Sequence, residues 1–134
     1  MNFKKIQAED IIFFQSLADV VVLQDEAAIQ RCASDETEDF VCPPDLVVQP
    51  GTVAAVSAVM RYCHEQHIPV TPRGAGTGLS GGALPIYGGV SLDMQRFNKI
   101  LHTDLHNFQV TTEPGVITQV LQEHVAGHDL FYPP

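Results

Sequence analysis

Apolar and polar positions alternate along this chain in two distinct rhythms, and each rhythm predicts its own element. Residues 8–18 place Ile11, Phe14 and Leu17 three apart, which predicts a short amphipathic helix. Val20–Leu23 is a brief apolar run whose type the pattern leaves open, and Glu26–Cys32 reads as a second short helix. Leu46-Val47-Val48, bounded by Pro44-Asp45 and Pro50-Gly51, predicts a strand. Thr52 then suits the N-cap of a helix whose apolar stripe is Val53, Val56, Val59, Met60 and Cys63. Ile68-Pro69-Val70 predicts the next strand, with Pro69 implying a sheet edge or a strand start.

Strand, helix and strand over this length form a βαβ unit with parallel strands and a right-handed crossover. Gly89–Asp93 adds a third short strand. After Met94 the pattern changes. Residues 100–104 and 108–112 predict an antiparallel hairpin around Leu105-His106-Asn107. Residues 116–126 predict a helix with Val116, Val120, Leu121 and Val125 inward and Gly127 as its C-terminal cap. The fold class expected is α+β with an α/β-like start: a small parallel sheet with flanking helices, followed by the beginning of a mainly antiparallel part. The apolar end, Leu130-Phe131-Tyr132-Pro133-Pro134, reads as a cut rather than a finished terminus.

Composition narrows the classes. Hydrophobic residues make up 45% and charged residues 17%, as in ordinary globular proteins. The formal net charge of -9 argues against a nucleic-acid binder and against docking on anionic lipid. No run approaches the ~20 apolar residues of a membrane span. Cys32, Cys42 and Cys63 are odd in number and form no C-x-x-C pair, which suits reduced thiols and a cytoplasmic protein.

The chemistry concentrates between the second and third predicted strands. Pro72-Arg73-Gly74-Ala75-Gly76-Thr77-Gly78-Leu79-Ser80-Gly81-Gly82 carries five glycines and one arginine, with Leu79 its only large apolar side chain. Glycine is costly to order, so such a run in a folded segment implies close approach of something to the backbone. Exposed amides beside a cation suit a phosphate or pyrophosphate. Gly76–Gly81 matches G-x-G-x-x-G, but Pro85 opposes the helix that the dinucleotide fingerprint requires. A Walker loop fails because no Lys-Ser or Lys-Thr follows the glycines. The acidic stretch Ser34–Asp39 reads as a solvated connection. His64 and His67 read as surface groups at a helix C-terminus, and His102 and His106 as solvated residues flanking a turn. His124 and His128 are separated by Gly127, which need not leave them on one face. Neither a metal site nor a catalytic residue is expected.

The ordered set Pro44–Pro50, Ile68–Val70, Pro72–Gly82, Val90–Asp93, Arg96–Ile100, Val110–Val116 and Tyr132–Pro134 resembles a known family over residues 35–134. It is similar to the FAD-binding domain of the vanillyl-alcohol oxidase / para-cresol methylhydroxylase flavoproteins, especially the D-lactate dehydrogenase, glycolate oxidase and D-2-hydroxyglutarate dehydrogenase branch. Residues 1–42 read as a helical lead-in, and the resemblance implies a first FAD-binding subdomain over 43–104 and the start of a second, truncated one over 105–134. It implies that residues 72–82 hold the FAD pyrophosphate, largely through backbone donors. Some relatives attach flavin through a histidine in this loop; Thr77 stands at the comparable place, which implies non-covalent FAD. The activity implied is oxidation of a small D-2-hydroxy acid, with the catalytic groups in a further domain. Two alternatives stand beside it: a non-catalytic nucleotide- or partner-binding module with a half-cleft prone to self-association, and an NAD-type dinucleotide binder that Pro85 disfavours.

Overall fold

The computed structural model describes residues 3–37 and 40–133. Helix α1 spans Ala8–Ser16, strand β1 Val20–Leu23, α2 Glu26–Cys32, β2 Leu46–Pro50, α3 Val53–Gln66, β3 Val70–Arg73 and β4 Val90–Asp93. A hairpin of β5 (Ile100–Asp104) and β6 (Gln109–Thr112) and helix α4 (Thr118–Ala126) complete the order.

The first sheet runs β1-β2-β4-β3. β4 pairs in parallel with β2 on one side and β3 on the other, while β1 lies antiparallel along β2. The apolar run of undecided type is therefore an antiparallel edge strand. β2 and β3 are parallel, but they are not neighbours, because β4 enters between them. Side chains of a strand alternate between faces. Leu46 and Val48 thus join Phe14 of α1 and Val59 and Cys63 of α3 in the larger core, with Val90, Leu92 and Ile68. Val47 faces the other way and packs on Ala28 and Cys32 of α2. One sheet is covered on both faces.

Local chemistry accounts for most element limits. The Gln7 N–H donates to Asp10 Oδ2 at 2.8 Å and opens α1 with a capping box. Asp10 is fully buried yet takes the Lys4 ammonium at 2.7 Å and the Tyr62 hydroxyl at 2.8 Å. Phe13 stacks on Tyr62 with ring centroids 3.8 Å apart, so the N-terminal segment is fastened to α3 by both polar and aromatic contacts. Thr52 Oγ1 accepts the Ala55 N–H at 3.2 Å as the N-cap of α3.

Several expectations need correction. The buried face of α3 is Ala55, Val59 and Cys63, whereas Val53 is 77% exposed and Met60 is also exposed. Val53 and Met60, seven residues apart, share a flank of the helix turned away from the Ala55–Val59–Cys63 line. β3 begins at Val70 rather than Ile68, because Ile68 still belongs to the helix end. Its N–H bonds the Cys63 carbonyl at 2.9 Å past His67, which takes the left-handed conformation at φ 56°. Phe108, expected in the hairpin strand, instead closes the turn at φ 54°. In α4, Val125 is buried and Val120 exposed. Gly127 is the C-cap of α4 as expected, though in right-handed helical angles, and the left-handed exit falls at Asp129, with the Leu130 N–H returning to the Val125 carbonyl at 3.1 Å.

Candidate functional site

β3 and β4 run in parallel register from Val70 opposite Val90 to Arg73 opposite Asp93, so their carboxyl ends share one edge of the sheet. In open α/β sheets ligands bind at this edge. The glycine loop leaves β3 here and the turn at 94–98 leaves β4. The Met94 N–H donates to the Arg73 carbonyl at 2.8 Å and ties the two exits together. Of the residues assigned to the loop, Pro72 and Arg73 lie within β3, and Gly74 to Gly82 form the loop proper. Gly76 and Gly81 adopt φ of 77° and 70°, conformations that glycine takes readily. Buried Leu84 and Pro85 anchor the far end, and no helix follows. Among the described residues, the amides of Ala75, Gly76, Thr77, Gly78, Leu79 and Ser80 donate no hydrogen bond to the protein.

Arg73 does not stand beside the glycines as a free cation. It is 6% exposed and passes beneath the loop, where Nη1 donates to the Ser34 carbonyl at 2.7 Å. Its guanidinium occupies the space against Gly76 that any β-carbon would need. The positive charge therefore sits under the loop, with backbone amides above it.

The segment Ser34–Thr37 is not a solvated connection, since it lies against the loop. The Glu36 N–H donates to the Gly78 carbonyl at 3.2 Å, and the Gly81 N–H to Thr37 Oγ1 at 2.7 Å. The Thr37 N–H donates to Asp35 Oδ1 at 2.9 Å and holds that carboxyl below its ordinary range. The rest of the acidic stretch, Glu38 and Asp39, falls outside the described residues. The Asp35-to-Thr37 spacing of an Asx turn was the one local sign that this stretch has a defined shape.

A cleft of about 500 Å³ opens beside the loop, lined by Ala75, Gln95, Asn98, Gly115, Ile117 and Val120. Its wall is held from within. Asp93, fully buried at the end of β4, accepts from Arg31 at 2.9 Å, Gln49 at 2.8 Å and the Gln95 N–H at 3.1 Å. Gly115 bonds the Phe97 carbonyl at 2.7 Å, and a side chain there would strike the carbonyls of Met94 and Phe97. Reading the glycine loop alone missed Gln95, Asn98 and Ile117, because they converge only when the hairpin and α4 fold back.

The histidines lie apart from this site. His64, His67, His102 and His106 are exposed. His124 Nε2 and Thr103 Oγ1 share a hydrogen bond of 2.8 Å, and the rings of His124 and His128 meet at 5.5 Å because the helical turn runs on through Gly127. Among the described residues no group of three His, Cys, Asp or Glu converges on a metal position.

Residues 44–134 match the family model described as FAD binding domain. The chain belongs to this family. FAD is its cofactor, and the domain is of the vanillyl-alcohol oxidase / para-cresol methylhydroxylase type. Glycolate oxidase subunit GlcD of Escherichia coli (strain K12) is 45% identical over 91 residues, which is 68% of this chain and 18% of that protein. D-lactate dehydrogenase of Anaerostipes hadrus is 36% identical over 134 residues, 99% of this chain and 28% of that protein. Among solved structures, p-cresol methylhydroxylase superposes with a TM-score of 0.69 at 26% identity over 81% of this chain and 22% of its own. The chain thus spans between 18% and 28% of the length of these curated relatives. The chain is thus an FAD-binding domain, similar in sequence to part of a glycolate oxidase subunit and part of a D-lactate dehydrogenase.

Proposed function

We propose that this chain is the FAD-binding part of an oxidoreductase that oxidises a small D-2-hydroxy acid of the glycolate or D-lactate type. The observation that carries the reading is the run of amides from Ala75 to Ser80, without partners among the described residues, at the carboxyl ends of two parallel strands in a chain of the FAD-binding family. Donors of this kind fit a pyrophosphate. Gly78 and Gly82 leave open space where β-carbons would project, which fits a backbone approached at close range. Residues 72–82 then bind through amides and the Thr77 and Ser80 hydroxyls, with Arg73 adding positive potential from below. The adjoining cleft takes a further part of the dinucleotide. With threonine at position 77, attachment there is non-covalent.

FAD, when bound, supplies the two-electron redox chemistry. The residues of this chain bind and orient it; the groups that handle the hydroxy acid belong to the whole enzyme. A cytoplasmic location completes the reading. No helix among the described residues is long and apolar enough to cross a membrane.

The test is substitution at Gly78, whose β-position meets nothing within 4 Å, so that added charge is not confounded by a clash. Gly78→Asp should weaken FAD and ADP binding by at least about tenfold, more at low salt, while the near-isosteric Gly78→Asn should be much milder. Calorimetric affinities equal in wild type and Gly78→Asp would overturn the pyrophosphate assignment.

A further inference from the structure

Three hydrogen bonds join Ser34–Thr37 to the glycine loop, and their directions decide which amides can meet a ligand. A trans peptide points its C=O and N–H to opposite sides. The Gly78 carbonyl is drawn to the Glu36 N–H, so the Leu79 N–H turns away from the segment. The Gly81 N–H is drawn to Thr37 Oγ1 instead, and the Ser80 carbonyl turns outward in its place. Arg73, bonded to the Ser34 carbonyl, fills the space under Gly76 and fixes the loop from below. The Asx turn of Asp35 in turn sets where the Thr37 hydroxyl stands.

We propose that Thr37 is a positioning residue for the FAD pyrophosphate: its hydroxyl oxygen holds the Gly81 N–H on the inner side of the loop, while the neighbouring Glu36 N–H, by holding the Gly78 carbonyl, turns the Leu79 N–H toward the phosphates. The inference rests on the pyrophosphate reading of the loop and deepens it. A loop with five glycines loses much conformational freedom when a ligand orders it. Bonds made before the ligand arrives remove part of that cost, and they also exclude one amide from the donor set. Gly81 then contributes its backbone angles rather than its N–H.

Two variants of the 134-residue chain test this. Thr37→Val keeps the shape and removes the acceptor; Thr37→Ser keeps the oxygen. FAD and ADP affinities are measured by calorimetry, and amide exchange at Gly81 and Leu79 by nuclear magnetic resonance. Thr37→Val should bind both nucleotides about five- to tenfold more weakly, with Thr37→Ser within about twofold of wild type. Gly81 exchange should accelerate in Thr37→Val alone, and ADP should shift the Leu79 amide more than that of Gly81. Wild-type affinity in Thr37→Val, or equal weakening in both variants, would overturn the role of Thr37 while leaving the loop assignment intact. A wild-type chain that binds neither nucleotide would overturn the loop assignment itself, and the role of Thr37 with it.

Discussion

The Arg73 guanidinium and the missing side chain of Gly76 occupy the same volume. An arginine that is nearly buried beneath a loop can lie flat only if the residue above it has no β-carbon. The glycine is thus required twice over, by its φ of 77° and by its neighbour.

Gly76→Ala should therefore displace Arg73 from the Ser34 carbonyl and strain the backbone together. The expected loss of stability is about 1–3 kcal/mol, read as a lowered urea midpoint. Gly78→Ala, with open space at its β-position, should be far milder. Equal midpoints for the two variants would mean that Arg73 swings clear without cost.

Asp10 should make stability sensitive to acid. Burial by itself pushes its carboxyl up, but hydrogen bonds from Lys4, the Gln7 N–H and Tyr62 outweigh that and hold it below its ordinary value of 3.8. Tyr62 moves the opposite way, to about 12, through burial and its bond to Asp10. A carboxyl depressed in the folded state contributes stability that is present above its unfolded pKa and is lost as pH falls through the folded one. Asp10→Asn should thus lower unfolding free energy at neutral pH by about 1–3 kcal/mol, and the gap to wild type should narrow below pH of about 4. A gap independent of pH would refute the charged latch.

Val53 and Val59 belong to one apolar stripe in the sequence, yet they should respond differently to truncation. Val59→Ala opens a cavity in the larger core and should cost about 1.5–3 kcal/mol. Val53→Ala, at 77% exposure, should stay within about 0.5 kcal/mol of wild type. Chemical denaturation of the two variants decides it.

That contrast marks how far the sequence could be read. The helix that Thr52 caps, the strand before Pro50-Gly51 and the hairpin around residues 105–107 were legible, because caps and turns are local chemistry. The faces of α3 were not, since periodicity defines a stripe and only the sheet beneath decides which part of it is covered. The glycine loop stood out through its composition. Its supports did not, because Ser34, Glu36 and Thr37 reach it across roughly forty positions of chain, and the Asx-turn spacing of Asp35 and Thr37 gives the stretch a shape without showing what it braces. The direction of Arg73 depends on the same remote carbonyl.

The strand order carries a consequence for how the domain assembles. β2 and β3 touch only through β4, so neither can form a parallel pair until residues 90–93 have come in between them. For a chain emerging from the ribosome, the antiparallel β1–β2 pair is available early, and the rest of the sheet must wait until the glycine loop has doubled back. Closing that loop and completing the sheet are then one event. Anything that stiffens residues 74–89 in the wrong shape should slow folding as well as impair binding.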